Sequence, residues 1–502
     1  MSSWPSYEDV HRAAQACMKR KRGRLDAILF RMRYGERVFD LTKRLHSGYL
    51  PGPGTVFVTD RPKYREIHAA DFRDRVVHHL LHAQLEPIFE KSFISDSYAC
   101  RVGKGTHAAM HALQQKMRHL TRGGKVRAYA LKMDVRAFFP SIHRPTLLSL
   151  LDKKLGSMEH AESIRSLVRT IVNHDPVPLA QRVGPRERFE RVPQHKRLGA
   201  SGPDRGLPIG NLTSQFFGNV YLNALDQFVK CTLGVRHYVR YVDDWVILDL
   251  SAQKLRSLEE SIRKFLAERL HLVAHEDALV RPVSEGVDFV GYIVRPNYVL
   301  SRRRVLQQAD RRLAELEEPL RGSRLRGFDS WPIQSEAVKR LRATWMSYHG
   351  HLVHSDSRSA LKRLWQKHTI SRFHFKSPLG FEPRFPFFKI DACWRDQVDR
   401  LQEGLKKSVL VVKVGRYAEV PRFQDRERLG LPTPNHRKGR RLRVGVLYRR
   451  LQSLLDVAFQ KGLPVALALE MPTPFGRIRA RALVRWLKPQ RKGNEDAIKN
   501  KS

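Results

Sequence analysis

Three aspartates carry the chemistry that this sequence can do. Asp134 closes the apolar run YALKMD, while Asp243 and Asp244 stand side by side in YVDD, between the apolar stretches HYVRY and WVILDL. That alternation about a tight acidic turn is the pattern of a β-hairpin. Neighbouring carboxylates on one turn repel each other, and a bound divalent cation reverses the sign of that interaction. If the strand ending in Asp134 lies beside the hairpin, the three carboxylates converge. They can then hold two Mg²⁺ ions, with Mn²⁺ as a substitute, about 3.5–4 Å apart, one activating a hydroxyl nucleophile and one neutralising a leaving pyrophosphate. A bare Asp-Asp turn is more often a solvated hairpin. The aspartate after KM and the motifs below weigh against that simpler reading.

The elements that must position these acids follow from periodicity. Residues 6–50 have helical apolar spacing, YLPGPGTVFV breaks it and enters a strand, and FRDRVVHHLLHAQLEPIFEKSF is helical again. His78 and His82 lie one turn apart on that helix. They have no third ligand nearby, so a packed or solvated helix is preferred to a metal site. Helical material runs from the Asp134 strand to about residue 173, followed by a Pro- and Arg-rich insertion, DPVPLAQRVGPRERFERVPQHKRLGASGPDRG. After the YVDD hairpin come an amphipathic helix, LRSLEESIRKFLAERLHL, and a short strand, VDFVGYIVRP. Residues 301–370 read as helical and very basic. Beyond the link SPLGFEPRFPFF, a strand (SVLVVKVG), an Arg-rich loop, a helix (GVLYRRLQSLLDVAFQKG) and a strand (PVALALE) make a small α/β module. The tail KPQRKGNEDAIKNKS is expected to be disordered.

Composition narrows the partners. Lys and Arg total 93 against 50 Asp and Glu, a formal charge of +43 spread along all 502 residues. Such an excess predicts self-repulsion unless a polyanion is bound, and nucleic acid is the natural one. The basic residues form no juxtamembrane block, and no apolar stretch is long enough to span a bilayer, so no membrane partner is expected. The start of the chain lacks a signal-peptide pattern, and the four scattered cysteines suggest neither a disulfide framework nor a zinc site. A reducing, cytoplasmic setting is the expectation, and the family resemblance given below implies a prokaryotic or phage source.

LKMDVRAFFPSI, GLPIGNLTSQFFGNVYLNALDQFV and RYVDDWVIL resemble motifs A, B and C of reverse transcriptases, in that order, and FVGYIVRP resembles the short motif after the palm. The resemblance implies an α+β right-hand polymerase: fingers and palm with an antiparallel sheet over 1–298, and a helical thumb over 299–375. It implies that Asp134, Asp243 and Asp244 form the metal-binding catalytic triad. Phe139 matches the steric gate against a 2′-hydroxyl, although a core aromatic beside Phe138 would give the same residue. KYREI and FRDR match the segment that clasps the nucleotide, so Lys63 and Arg65 are candidates for triphosphate oxygens and Arg73 for a place near the templating base. Ordinary surface cations are the alternative for all three. The expected partners are template RNA, cDNA and dNTPs.

FRDRVVHHLL, DSYACRVGKGTH, IGNLTSQFFGNVYLNALDQFV and GVDFVGYIV resemble in particular the enzymes of diversity-generating retroelements. Many reverse transcriptases have QG then SP in motif B; here Ile209 precedes Gly210, and Gln215 replaces the proline. An isoleucine offers no hydrogen bond to the nascent pair and relaxes the check on the incoming base, unless it simply packs. In that family this accompanies errors at template adenines during mutagenic retrohoming, and a small basic accessory protein is a common partner. One departure concerns AHEDALVRPV, which has Glu276 and Asp277 where the family usually carries lysine near the leaving pyrophosphate. His275 or Arg281 are the available substitutes.

The last module, 385–486, resembles the mismatch-recognition domain of the repair protein MutS, on VLVVKVGRYAEV and RVGVLYRRLQSLLDVAFQKGLPVALALE. There Tyr417 and Glu419 keep the spacing of an aromatic and a carboxylate that read bases, and Arg440 and Arg441 offer phosphate contacts. A packed Tyr417 is the alternative. No GxxxxGK[ST] signature appears, so an accompanying ATPase is not expected. Residues 487–502 complete the chain as a basic tail. The expected function is an RNA-directed DNA polymerase making adenine-mutagenic cDNA. The alternatives are a phage-defence or group II intron-like reverse transcriptase, or a non-catalytic nucleic-acid-binding scaffold.

Overall fold

In a computed structural model, residues 4–489 are described apart from 20–23, 61–62, 157, 326–327, 334, 379, 385–393, 404, 406, 432–444 and 472–479. The chain divides into two compact units, Met1–Val299 and Leu300–Ser502. Among the described residues no helix is long and apolar enough to cross a membrane.

The first unit contains seven strands that matter for the site. They are β1 (Thr55–Thr59), β2 (Arg65–Ala69), β3 (Tyr129–Asp134), β4 (Gln181–Val183), β5 (Tyr238–Tyr241), β6 (Asp244–Asp249) and β7 (Leu279–Pro282). β5, β6, β3 and β7 form one antiparallel sheet in that order. Both of its faces are covered, which explains why WVIL reads as a continuous apolar run in place of clean alternation. Leu131, Met133, Trp245 and Ile247 pack into the larger core, with the helices Phe72–Glu90, Leu212–Gln227 and Ala252–Leu270. Ala130, Val246 and Leu248 pack on the other face against Met110, Leu113 and Met117 of the helix Thr106–Leu120. Strand alternation puts Lys132, Asp134 and Asp244 on this second face. β1 and β2 form a separate antiparallel hairpin, and the insertion adds β4 parallel to β1.

The segment VDFVGYIV is a hairpin, Val287–Phe289 with Tyr292–Val294, and not the single strand expected. Val290 and Gly291 at φ 46° and 96° supply the turn, both central residues being left-handed as a two-residue primed turn requires. His78 and His82 behave as packed residues. His78 is buried and shares a hydrogen bond with Thr213 Oγ1 at 2.8 Å, and burial pushes its pKa down to about 3.

In the second unit the helices Arg303–Glu317, Ser335–Leu352 and Arg358–Lys367 enclose a core around Trp345, Phe375 and Phe381. A seven-stranded sheet accompanies them. Its parallel pair, Val409–Val414 and Val465–Met471, is joined across the helix Leu451–Gln460. Two features differ from the expectations. Ser323–Leu325 and Phe328–Pro332, inside the stretch read as helical, form a hairpin that pairs with Ala480–Pro489 and joins the same sheet. That last strand also takes Leu487, Lys488 and Pro489 from the expected tail, while 490–502 lie outside the described residues. An edge strand is completed by whichever chain segment reaches it, so neither feature has a local sequence signal.

Candidate active site

Register brings the acids together. β3 and β6 pair so that Asp134 lies directly opposite Asp244, and the Val135 N–H donates to the Asp243 carbonyl at 3.3 Å just beyond the last pair. Asp243 sits with Val242 in the two-residue turn between Tyr241 and Asp244. Val242 has φ 55°, a left-handed conformation that costs a β-branched residue about 1–2 kcal/mol.

A buried polar network holds that turn. The Arg240 guanidinium, fully buried, donates to the Val242 carbonyl at 2.8 Å and to Asn219 Oδ1 at 3.3 Å. Its other side meets Asp226 through Nε to Oδ1 at 2.7 Å and Nη2 to Oδ2 at 2.5 Å, and the Tyr238 hydroxyl also donates to Asp226 at 2.8 Å. Asp226 and Asn219 come from the helix Leu212–Gln227, so motif B fixes the backbone of motif C through one arginine.

The triad itself is short of positive partners. Burial raises the pKa of Asp244 to about 7, with Asp243 and Asp134 adding repulsion and Lys132 opposing it. Burial likewise raises Asp243, with Asp134 adding to it and Arg65 and Arg240 pulling the other way. Lys132 Nζ stands 3.3 Å from Asp244 Oδ2, while Asp244 Oδ1 is buried with no hydrogen-bond partner. Among the described residues no three His, Cys, Asp or Glu side chains are already arranged as a ligand cage. Nevertheless, the donor set fits divalent ions: hard oxygens, an orphaned buried lone pair, and excess negative charge for which a lysine ammonium is the nearest compensation.

Around the triad the other candidates fall into three groups. Lys63 and Arg65 flank the start of β2, both exposed, and Arg65 lies within electrostatic reach of Asp243. Phe139 is half-buried in the short helix Phe138–Ser141, its ring 5.1 Å from that of Phe138. Gly218 permits this pair to lie against the motif B helix: a Cβ there would stand 3.1 Å from Phe138 Cε1 and 3.5 Å from Phe139 Cε1. At motif B the Ile209 carbonyl accepts from the His68 N–H at 2.7 Å, tying the segment to β2. Gly210, at φ 126°, is required there because a Cβ would meet the His68 carbonyl at 2.8 Å. Gln215 is exposed on the following helix, its Oε1 accepting from Cys100 Sγ at 3.4 Å.

Arg73 turns to Asp74 at 3.1 Å, and Asp74 also accepts from the Tyr49 hydroxyl and the Gly52 N–H. The His275 N–H donates to the Asp134 carbonyl at 2.8 Å, so that segment does border the site. Asp277, close by, is 85% exposed. Arg281 instead pairs with Ala130, four positions down the strand from Asp134 and about 13 Å away by strand rise. Tyr417, exposed, and Glu419 lie on a strand of the second unit between Val409–Val414 and Gly445–Leu447, and Arg440 and Arg441 lie outside the described residues. Lys132, Asp226, Asn219, Arg240 and Lys196 were not singled out from sequence. For Lys132 the signal existed, since period 2 puts it on the face of Asp134.

Residues 55–294 match the family of reverse transcriptases (RNA-dependent DNA polymerases). The chain therefore carries a reverse transcriptase domain, of the RNA-directed DNA polymerase class, with Asp134, Asp243 and Asp244 inside the matched segment. Among individual proteins, it is similar to YkfC of Escherichia coli K12, 23% identical over 290 residues that cover 50% of this chain and 69% of that one. It is also similar to the group II intron-encoded protein LtrA of Lactococcus lactis subsp. cremoris, 20% identical over 327 residues, 52% of this chain and 50% of LtrA. The match thus spans about half the length of LtrA. Among solved structures, apo telomerase from Candida tropicalis aligns with a TM-score of 0.37 at 11% identity, covering 60% of this chain and 52% of that one.

Proposed function

We propose that the chain copies an RNA template into DNA, with Asp134, Asp243 and Asp244 holding two Mg²⁺ ions. When bound, these supply activation of the primer 3′-hydroxyl and neutralisation of the leaving pyrophosphate. The observation that carries this reading is the pairing of Asp134 with Asp244 beside the Val242–Asp243 turn, with one carboxylate oxygen left orphaned. In this reading Lys63 and Arg65 take triphosphate oxygens and Phe139 excludes a 2′-hydroxyl. Arg73, whose guanidinium meets Asp74, lies near the templating base. Residues 1–298 serve as fingers and palm, and 299–375 as thumb.

The finer proposal is mutagenic retrohoming in a diversity-generating retroelement. The Ile209 side chain supports it, because it offers no hydrogen bond where motif B could present an amide. The 385–486 module, with Tyr417 and Glu419, serves in this proposal as a nucleic-acid reader. The similarity to LtrA favours a second reading, a group II intron-like reverse transcriptase.

Primer extension on RNA, followed by sequencing of the cDNA, separates them. An excess of errors at template adenines supports the first reading, and a flat spectrum over the four bases supports the second. If wild type and Asp243→Asn protein extend a primer equally, the polymerase reading itself is wrong.

A further inference from the structure

The insertion after residue 173 grips the β1–β2 hairpin on both sides of Arg65. β4 pairs with β1, the Arg191 guanidinium donates to the Tyr64 hydroxyl at 2.9 Å, and the Leu198 N–H donates to Glu66 Oε2 at 3.3 Å. Tyr64 and Glu66 are the immediate neighbours of Arg65. Lys196 ends the short helical turn Gln194–Lys196, two residues before Leu198.

The basic residues of this insertion are used in two ways. Arg186 pairs with Glu190, Arg191 with Tyr64, and Arg197 donates to the carbonyls of Phe189, Glu190 and Val192. Lys196 is half-buried, and among the described residues its ammonium makes no hydrogen bond or ion pair. Lys63 and Arg65 have no such partner either, and the charges acting on Lys196 are theirs and that of Asp134. Burial and those two cations depress the Lys196 pKa, against the pull of Asp134. His195 beside it feels Arg136 and His275, both of which border the Asp134 segment. Three unpaired cations thus gather from two elements next to the acids. That arrangement is unfavourable until an anion with several oxygens enters.

We propose that Lys196 binds the β- or γ-phosphate oxygens of the incoming dNTP, so that the 174–206 insertion is part of the nucleotide site. The inference rests on the polymerase reading. As the primer 3′-hydroxyl gives its proton to water and its oxygen bonds to Pα, the bond from Pα to the bridging oxygen breaks and charge passes to the departing pyrophosphate. Lys196 faces that tail both before and during the step, so its loss weakens binding more than turnover.

The test is single-nucleotide extension on an RNA template with full-length Lys196→Ala, Lys196→Arg and, as a control, Arg188→Ala, an exposed residue of the same insertion. For Lys196→Ala the dNTP KM rises about tenfold, kcat changes less, primer–template Kd is unchanged, and Lys196→Arg recovers most of the loss. Equilibrium binding of dNTP to enzyme on a chain-terminated primer weakens in parallel. An unchanged KM, or a loss confined to primer–template affinity, overturns the inference and leaves the polymerase reading intact. If wild-type protein neither extends a primer nor binds dNTP, both fall together.

Discussion

Asp226 and Asp244 lie on either side of one arginine-held hairpin, and the fold treats them in opposite ways. Asp226 is fully buried and receives three hydrogen bonds from Arg240 and Tyr238. Asp244 has one lysine at 3.3 Å and one buried oxygen with no partner. Burying a carboxylate is costly in both places, and only at Asp226 is the cost offset within the chain. The difference separates an acid that builds the turn from acids that the turn presents. In the proposed reading, the unsatisfied group is the one to which chemistry comes from outside.

The comparison can be broken in three places. The largest effect is expected from Asp243→Asn, which should lower primer extension by on the order of 10³-fold while leaving the folded protein at least as stable, since one repelling charge is gone. A drop in thermal stability that matches the lost activity would place Asp243 with Asp226 among the structural acids. Next comes Arg240→Met, which strands Asp226 and should cost about 3–5 kcal/mol in urea unfolding. Adding Asp226→Leu should restore much of that stability but not activity, because the Val242 carbonyl still lacks its donor. Recovery of activity in the double variant would show that Arg240 does nothing for the turn.

A third test concerns pH. The Asp244 pKa rises from 3.8 to about 7 on folding. Between those values the folded protein binds the proton and the unfolded chain has lost it, so metal-free stability falls as pH rises through that window. Melting temperature without divalent ions should therefore decline from about pH 4 to 7. The decline should be shallower in Asp244→Asn and with added Mg²⁺. An identical slope in wild type and variant would mean that Asp244 is solvated after all.

Much of the candidate site's geometry was legible in the sequence. A run ending in KMD and an alternating YVDD hairpin specify two strands whose acids sit at matching ends, because strand period and turn length are local properties. The helices around them follow from apolar spacing in the same way. What escaped was long-range. Arg240 reads as an ordinary polar strand residue until the fold places Asp226 against it. Lys196 is one cation among many in a basic insertion until that insertion folds over Tyr64 and Glu66. In the second unit, a hairpin inside a helical-looking stretch was invisible because the strand it completes lies some 150 positions later, Trp331 pairing with Trp486.

The sequence by itself determined which groups are acidic, which runs alternate and where the chain turns. Only the tertiary structure decided which acid is neutralised and which is left exposed to need. Periodicity is written in neighbouring residues, whereas the partner of a buried charge is chosen by contacts between segments far apart in the chain.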